Sequence, residues 1–258
     1  MSKLGFLCIF IVMLFALSSC VSESDATEFE TSKEKVAAAE LIRQSDELYR
    51  QRENPEKLRE AIALLRRARG SEPQNFEAWW KLSQASYFLG KNSSDSAESE
   101  KAFKEGLGAA KRATQLAPDK PDGYFWTGAN LGGEAQKSTL SGLTNVSEIR
   151  ESMQKAIEIQ PDYQGASAYD ALAQIELGTR FTGGSAEKAL EYLEKGIALN
   201  KENPYFYLHL AEAYLALDRD AEARKQIDAL LRMKPPAGFE PEYNDAARQA
   251  QKLLKTKF

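Results

Sequence analysis

Cysteine and histidine are scarce in this chain, whose 258 residues include two Cys and one His. Two cysteines cannot build a disulfide framework, and so small a set of Cys and His excludes nearly every zinc site. Basic residues do not outnumber acidic ones: 34 Lys and Arg against 38 Asp and Glu give a net charge of −4. We therefore expect no nucleic-acid binding, no metal and no other cofactor.

Only the N-terminus carries a long hydrophobic run. Lys3 precedes an apolar stretch from Leu4 to Leu17, and two serines follow it. The stretch is shorter than the roughly 20 apolar residues that span a bilayer comfortably. A charged start, an apolar middle and a small-residue end are typical of a secretory signal, here residues 1–19. The alternatives are an uncleaved anchor and a plain secretory signal with an incidental cysteine.

The end of this leader, Leu17-Ser18-Ser19-Cys20, resembles the bacterial lipoprotein box. That resemblance implies cleavage before Cys20 and lipidation of its thiol, with residues 20–32 as lipidated cysteine and flexible tether. It places the protein in a bacterial cell envelope, anchored by lipid and facing the periplasm. Val21 stands where some enterobacterial lipoproteins carry the Asp of inner-membrane retention, which favours the outer membrane.

Beyond the tether, apolar residues recur at helical spacing, and no strand-like alternation runs far. A four-residue pattern recurs along the chain: an Ala, an apolar residue four positions later, a small residue three positions after that, and a Pro five positions further on. Its most complete copy is Ala61, Leu65, Ala68 and Pro73. Small residues let paired helices approach closely, and we expect the Pro to end each turn and start the next helix. The predicted helices are 33–57, 55–72, 76–90, 100–117, 121–133, 147–160, 165–178, 185–199, 204–217, 220–233 and 241–256.

The other helix of each pair carries an aromatic-x-x-Leu-small-x-x-aromatic order, as in Tyr207, Leu210, Ala211 and Tyr214. This order resembles the tetratricopeptide (TPR) helix-turn-helix repeat. The predicted fold is all-α: a right-handed α-solenoid of about five degenerate TPR-like helix pairs over residues 33–240, with a C-terminal capping helix at 241–258.

Three segments interrupt the repeat: residues 91–99, a Gly- and Ser-rich stretch from Gly132 to Asn145, and Thr179–Gly184. Insertions in repeat arrays map to loops at one edge, which is often functional. Surface padding is the alternative.

A narrower resemblance rests on the order of several short pieces, which are Gly106–Ala113, Leu116–Pro118, Tyr124–Trp126, Gly128–Gly132, Ile149–Glu151, Ala156–Pro161, Gly183–Lys195 and Phe206–Glu212. Over about residues 35–235 the chain resembles the lipoprotein T-component associated with TRAP (tripartite ATP-independent periplasmic) transporters. The resemblance implies an all-helical, lipid-anchored periplasmic protein that forms homotrimers with a pore through each subunit and pairs with a periplasmic substrate-binding protein.

The sequence offers no catalytic constellation. His209 lies between two leucines with no Cys or Ser nucleophile near it, so we interpret it as structural. The glycines match no phosphate-binding fingerprint. We expect no enzyme activity.

The repeat register instead predicts a concave groove for a partner. Its residues are Trp80, Gln84, Tyr87, Phe88, Phe125, Ala129, Asp170, Gln174, Tyr205, Leu208 and Glu212. An aromatic concavity with a few polar groups suits an extended peptide or an apolar small molecule. In the alternative, the insertions fill the groove and these residues are core.

Together these observations predict a periplasmic scaffold of a TRAP-type uptake system that docks a substrate-binding protein and binds or passes an apolar ligand. The alternative function is an adaptor lipoprotein of envelope or cell-wall assembly that binds proteins only.

Overall fold

The structure, a computed structural model, describes residues 37–137 and 145–258. The leader, Cys20 and the tether lie outside these residues, as does half of the second insertion, residues 138–144. The described residues form eleven helices and no strand. In chain order they are α1 (37–49), α2 (Pro55–Ser71), α3 (Phe76–Asn92), α4 (Ser96–Leu116), α5 (Pro121–Lys137), α6 (Val146–Ile159), α7 (Tyr163–Gly178), α8 (Ala186–Leu199), α9 (Pro204–Ala216), α10 (Asp220–Arg232) and α11 (Glu240–Lys257).

Short polar side chains determine where several helices begin. The side chain of Asn54 accepts a hydrogen bond from the backbone N–H of residue 56 at 2.9 Å, and Asn203 does the same for residue 205 at 3.1 Å. Ser185 caps α8 by accepting from the N–H of residue 188 at 3.1 Å. Each cap satisfies an N–H that has no partner inside the helix. These three predicted starts are confirmed.

The first insertion is not a loop, which corrects the sequence-based expectation. Helix α3 continues to Asn92 and α4 begins at Ser96, so three residues separate them. Asp95 fixes this early start, because its side chain accepts from the N–H of Ala97 at 2.9 Å. Helix α5 likewise continues to Lys137 instead of ending at Gly133. The third insertion does form a connection, between the end of α7 and the start of α8.

The pattern of helix contacts defines the concave side of the array. The backbones of successive odd-numbered helices approach closely from α3 to α11, whereas the described even-numbered helices stay farther apart and meet through long side chains, as in the Arg59–Glu98 pair of α2 and α4. The odd helices are therefore closer together, and the array curves toward them. This is an α-solenoid of helix pairs, with α11 packed on α9 and α10 at the C-terminal end.

The small residues of the recurring pattern lie between helices, as predicted. Ala61, Ala68, Ala113, Ala156 and Ala223 have no exposed surface. The role expected of the proline needs correction, because Pro73 and Pro118 lie in turns and do not start the next helix. Their carbonyls accept hydrogen bonds from the aromatic side chains six residues on, at 2.9 Å from Trp79 Nε1 and 3.3 Å from Tyr124 OH. Where Lys201 replaces the Pro, Tyr207 OH makes the same bond at 3.0 Å.

A buried polar contact joins α3, α4 and α5. Ser83 Oγ donates to the Gly106 carbonyl at 2.7 Å, and Asn130 Nδ2 donates to Ser83 Oγ at 2.9 Å and to the Trp126 carbonyl at 2.8 Å. A Cβ at Gly106 would lie 2.1 Å from Asn130 Oδ1, so only glycine allows this approach. Two positions that carried the transporter-component resemblance, 106 and 130, therefore have a structural role.

Helix α7 opens with a left-handed turn. Gln164, Gly165 and Ala166 have φ values of 49°, 65° and 62°, a conformation that costs a residue with a side chain roughly 1–2 kcal/mol. Asn200 and Asn203 each donate to the Gly165 carbonyl at 3.3 Å and hold the turn. Regular helix begins only after Ala166, whereas the sequence predicted a start at 165.

None of the described helices is long and apolar enough to cross a membrane.

Candidate functional site: the concave face

All eleven predicted groove residues lie on the odd helices α3, α5, α7 and α9, and none of them is highly exposed. Five share one cluster around α5, namely Trp80, Tyr87, Phe88, Phe125 and Ala129. Leu208 and Phe125 are corrections. Leu208 has no exposed surface and packs among Ala223, Ile227 and Leu230 of α10, and Phe125 is only 7% exposed, so both belong to the core.

The aromatic residues of the concave face contact one another. Tyr87 and Phe88 lie with their ring centroids 5.7 and 6.4 Å from that of Trp126. Phe125 contacts Trp126 at 5.0 Å in an edge-to-face arrangement. Tyr49, from α1, lies edge-on to Phe88 at 5.5 Å. Such pairs add about 0.5–1.5 kcal/mol each beyond burial, so the cluster is a structural unit as well as a surface.

The space left beside this cluster is small. A cleft of about 230 Å³ is lined by Tyr87, Lys91 and Phe103 together with Gly133, Gln136 and Lys137. Sites for drug-sized ligands usually occupy about 300–1,000 Å³. Lys91, the first residue of the 91–99 insertion, lines this cleft together with the rings of Tyr87 and Phe103.

A polar group lies at the C-terminal end of the concave face. His209 Nδ1 is 2.6 Å from Asp170 Oδ1, and the His209 ring stacks on Tyr205 with centroids 5.7 Å apart. Burial alone would lower the pKa of His209, but the charge and hydrogen bond of Asp170, aided by Glu212, raise it above its ordinary value. The repeat register of the sequence predicted Asp170, Tyr205 and Glu212 as groove residues, and the structure adds His209 to this group.

Gln174, one turn along α7 from Asp170, offers an unused donor. Its Nε2 is buried and has no hydrogen-bond partner among the described residues. A buried donor without a partner costs about 1–3 kcal/mol. The described residues do not offset this cost.

Two cations cross the concave face to reach the C-terminal helix, and sequence analysis missed both. Arg52, between α1 and α2, donates to Glu242 at 2.8 and 2.6 Å and to the Gly238 carbonyl at 2.7 Å. Lys91, near the end of α3, donates to Tyr205 OH at 2.9 Å and pairs with Asp245 at 3.2 Å. No sequence signal reveals such pairs, because their partners lie 190 and 154 positions apart.

These contacts change the acidity of the groups involved. Burial alone would lower the pKa of Arg52, yet the hydrogen bonds and charge of Glu242 raise it. Burial alone would raise the pKa of Asp245, but the Tyr205 hydroxyl and Lys91 hold it below its usual value. Arg52 and Asp245 are thus stabilised in their charged forms.

The described residues contain no group of His, Cys, Asp and Glu side chains that could hold a metal ion. The described part of the chain contains no Cys, and the single His pairs with a carboxylate. The TPR fold is typically a binding scaffold without catalytic activity.

The fold and its concave face define the class of protein: a TPR-type α-solenoid. The model of the family described as "Regulator of microtubule dynamics protein 1-3" matches residues 41–169, half of the chain, and the chain belongs to this family. A second model, described as "Tetratricopeptide repeat", matches residues 181–250. No curated protein matches the chain.

Solved structures share this fold. The thermophilic TPR protein TTC0263 of Thermus thermophilus is 22% identical with a TM-score of 0.61, over 84% of this chain and 100% of its own. PilF of Pseudomonas aeruginosa is 18% identical with a TM-score of 0.58, over 87% of this chain and 94% of its own. The protein thus has a TPR-type scaffold fold.

Proposed function

We propose that this scaffold is a lipid-anchored component of a bacterial envelope that faces the periplasm and docks a substrate-binding protein of a TRAP-type uptake system. The leader ending in Cys20 supports the anchor, and the resemblance of residues 35–235 to the transporter T-component supports the pairing. The partner, or an apolar ligand it delivers, occupies the concave face.

The aromatic cluster of the concave face carries this proposal. Trp80, Tyr87 and Phe88 are half-buried and come from a helix whose other face packs in the core. Large aromatic side chains that keep some exposure on a concave surface are typical anchors for a protein partner. The unused Gln174 N–H on the same face adds a polar group for orientation.

Photo-crosslinking in cells tests the docking. A crosslinking amino acid at position 80 is expected to capture a periplasmic substrate-binding protein, and the same group at the exposed Lys101 of α4 is the control. Capture at both positions or at neither would contradict docking on the concave face.

Two further measurements test the anchor and the assembly. Metabolic labelling with a radioactive fatty acid is expected to mark the wild-type protein and not the Cys20→Ala variant. Native mass spectrometry of the detergent-extracted protein is expected to give a homotrimer. A monomer with no bound ligand would contradict the pore-containing homotrimer that the transporter resemblance implies.

One observation favours the second candidate, an adaptor of envelope or cell-wall assembly that binds proteins only. The cleft of about 230 Å³ leaves little room for a small molecule. Deleting the gene separates the candidates. Loss of solute uptake with an intact envelope supports the transporter role, and loss of envelope integrity with normal uptake supports the adaptor.

A further inference from the structure

The two ends of the solenoid are joined by polar side chains and not by a shared core. In the described residues, the apolar cluster of α1–α4 contains no residue of α11, and the cluster around α11 contains only residues of α9, α10 and α11. Among helices α2–α11, α11 packs closely on α9 and α10 alone. Arg52 reaches Glu242 across the remaining gap, and Lys91 reaches Asp245 and Tyr205.

These bridges lie over the groove. The Arg52 guanidinium sits 5.2 Å from the ring centroid of Tyr49 and 5.7 Å from that of Phe88. Lys91 lies 5.2 Å from the ring centroid of Tyr205. Phe88 and Tyr205 are both groove residues, so the closing side chains cover the surface that a partner must reach.

The bridges are not needed to hold the fold together. In a repeat array each unit is stabilised by its neighbours, so a contact between distant ends adds little to folding. The side chains of Arg52 and Glu242 are only 7% and 15% exposed, and much of their attraction is offset by lost hydration. Removing only the carboxylates is different, because it leaves the buried Arg52 and the partly exposed Lys91 uncompensated, and that is strongly unfavourable.

We propose that the Arg52–Glu242 and Lys91–Tyr205–Asp245 bridges form a latch across the concave face, and that an acidic partner segment opens it by replacing both carboxylates. The partner supplies carboxylates to Arg52 and Lys91, and its apolar side chains reach the aromatic rings beside them. Arg52 and Lys91 thus form a two-cation site, which Glu242 and Asp245 occupy in the unbound protein. The latch rests on the proposed function and adds the partner's chemical class to it.

Distance measurement tests the latch without any partner. Spin labels at the exposed positions Ala63 of α2 and Gln251 of α11, in a Cys8→Ser/Cys20→Ser full chain in detergent, report the separation of the ends. The wild type is expected to give one narrow distance distribution. We expect broader distributions, centred on a longer distance, from both double variants, Glu242→Gln/Asp245→Asn and Arg52→Gln/Lys91→Gln. Unchanged distributions in both variants, with helix content intact by circular dichroism, would overturn the latch.

Peptide binding tests the two-cation site. The probe is a fluorescein-labelled peptide of alternating Glu and Phe, with a Gln–Phe peptide as its neutral counterpart. Without its own carboxylates, the Glu242→Gln/Asp245→Asn protein is expected to bind the acidic probe roughly 5- to 150-fold more tightly than the wild type, the usual range of coupling between sites. The Arg52→Gln/Lys91→Gln protein opens equally but is expected to lose this binding. Equal binding by both variants would refute the site.

A matched control removes the effect of net charge. Glu98→Gln/Glu105→Gln changes the charge equally and frees Arg59 and Arg66, which these residues bind across α2 and α4. Neither the distance nor the affinity is expected to change. Failure of the transporter proposal would leave these results intact, because neither assay requires lipid or a transporter.

Discussion

Two adjacent glycines of α5 should respond in opposite ways to replacement by alanine. Gly132 has no heavy atom within 4 Å of an added Cβ, whereas a Cβ at Gly133 would lie 2.4 Å from Phe103 Cε1. The Phe103 ring cannot retreat, because it is 1% exposed and a Cβ at Gly90 would also lie 2.7 Å from it. The ring is held between two glycines of neighbouring helices.

The magnitudes follow from two opposing effects. Alanine gains about 0.5–1 kcal/mol over glycine inside a helix, and this gain is the same at both sites. Overpacking at position 133 costs about 1–3 kcal/mol. The difference in the free energy of unfolding between Gly132→Ala and Gly133→Ala is therefore the overpacking cost, about 1–3 kcal/mol. In a chain of this size, about 1 kcal/mol shifts Tm by roughly 2–4 °C.

Thermal unfolding followed by circular dichroism measures this difference. We expect Gly132→Ala to melt above the wild type and Gly133→Ala to melt below Gly132→Ala. In a Phe103→Leu background the two alanine variants should approach each other, because the ring that causes the clash is gone. Equal Tm values in the Phe103 protein would refute the close packing of this ring.

Three further outcomes are expected. Replacing Arg150 with Met should destabilise the protein by about 1.5–3 kcal/mol, because Glu176 is 2% exposed and loses the 2.6 Å bond from Arg150 while keeping Lys188 at 3.6 Å. Urea unfolding measures this, and a loss below about 1 kcal/mol would contradict it. Asn75→Ala should lower the free energy of unfolding by about 1 kcal/mol, since the Asn75 side chain caps α3 by accepting from the N–H of residue 78 at 3.1 Å. In the same urea assay, Asn75→Gly should lower it by only about a few tenths of a kcal/mol. Because the pKa of His209 is raised above 6.5, its pairing with Asp170 stabilises the fold fully below pH 6.5, and this stabilisation is lost as pH rises through the raised value. The Tm advantage of wild type over His209→Phe should therefore shrink from about pH 5.5 to about 8.5, and parallel curves would show that the pair does not titrate in this way.

Local sequence signals located most helices because their causes are local. Asn54, Ser185 and Asn203 cap helices within their own turn, and Ala61 and Ala68 mark the close approach of paired helices. The same register predicted that Trp80, Tyr87 and Ala129 lie together, because equivalent positions of successive repeats face the same side, and these three residues pack against one cluster. The sequence missed the helical state of the first insertion, since an Asp95 cap and the packing of Phe103 extend α3 and α4 there.

Local patterns suffice for the solenoid class and the helix pairs, because a periodicity of about 3.6 and small residues at helix contacts act over short distances. How accessible the concave side is depends on packing between distant helices. The curvature accumulated over successive helix interfaces brings Arg52 within 2.6 Å of Glu242, and no pattern near either residue encodes it. The packing of α1 beside α3 likewise places Tyr49 edge-on to the half-buried Phe88.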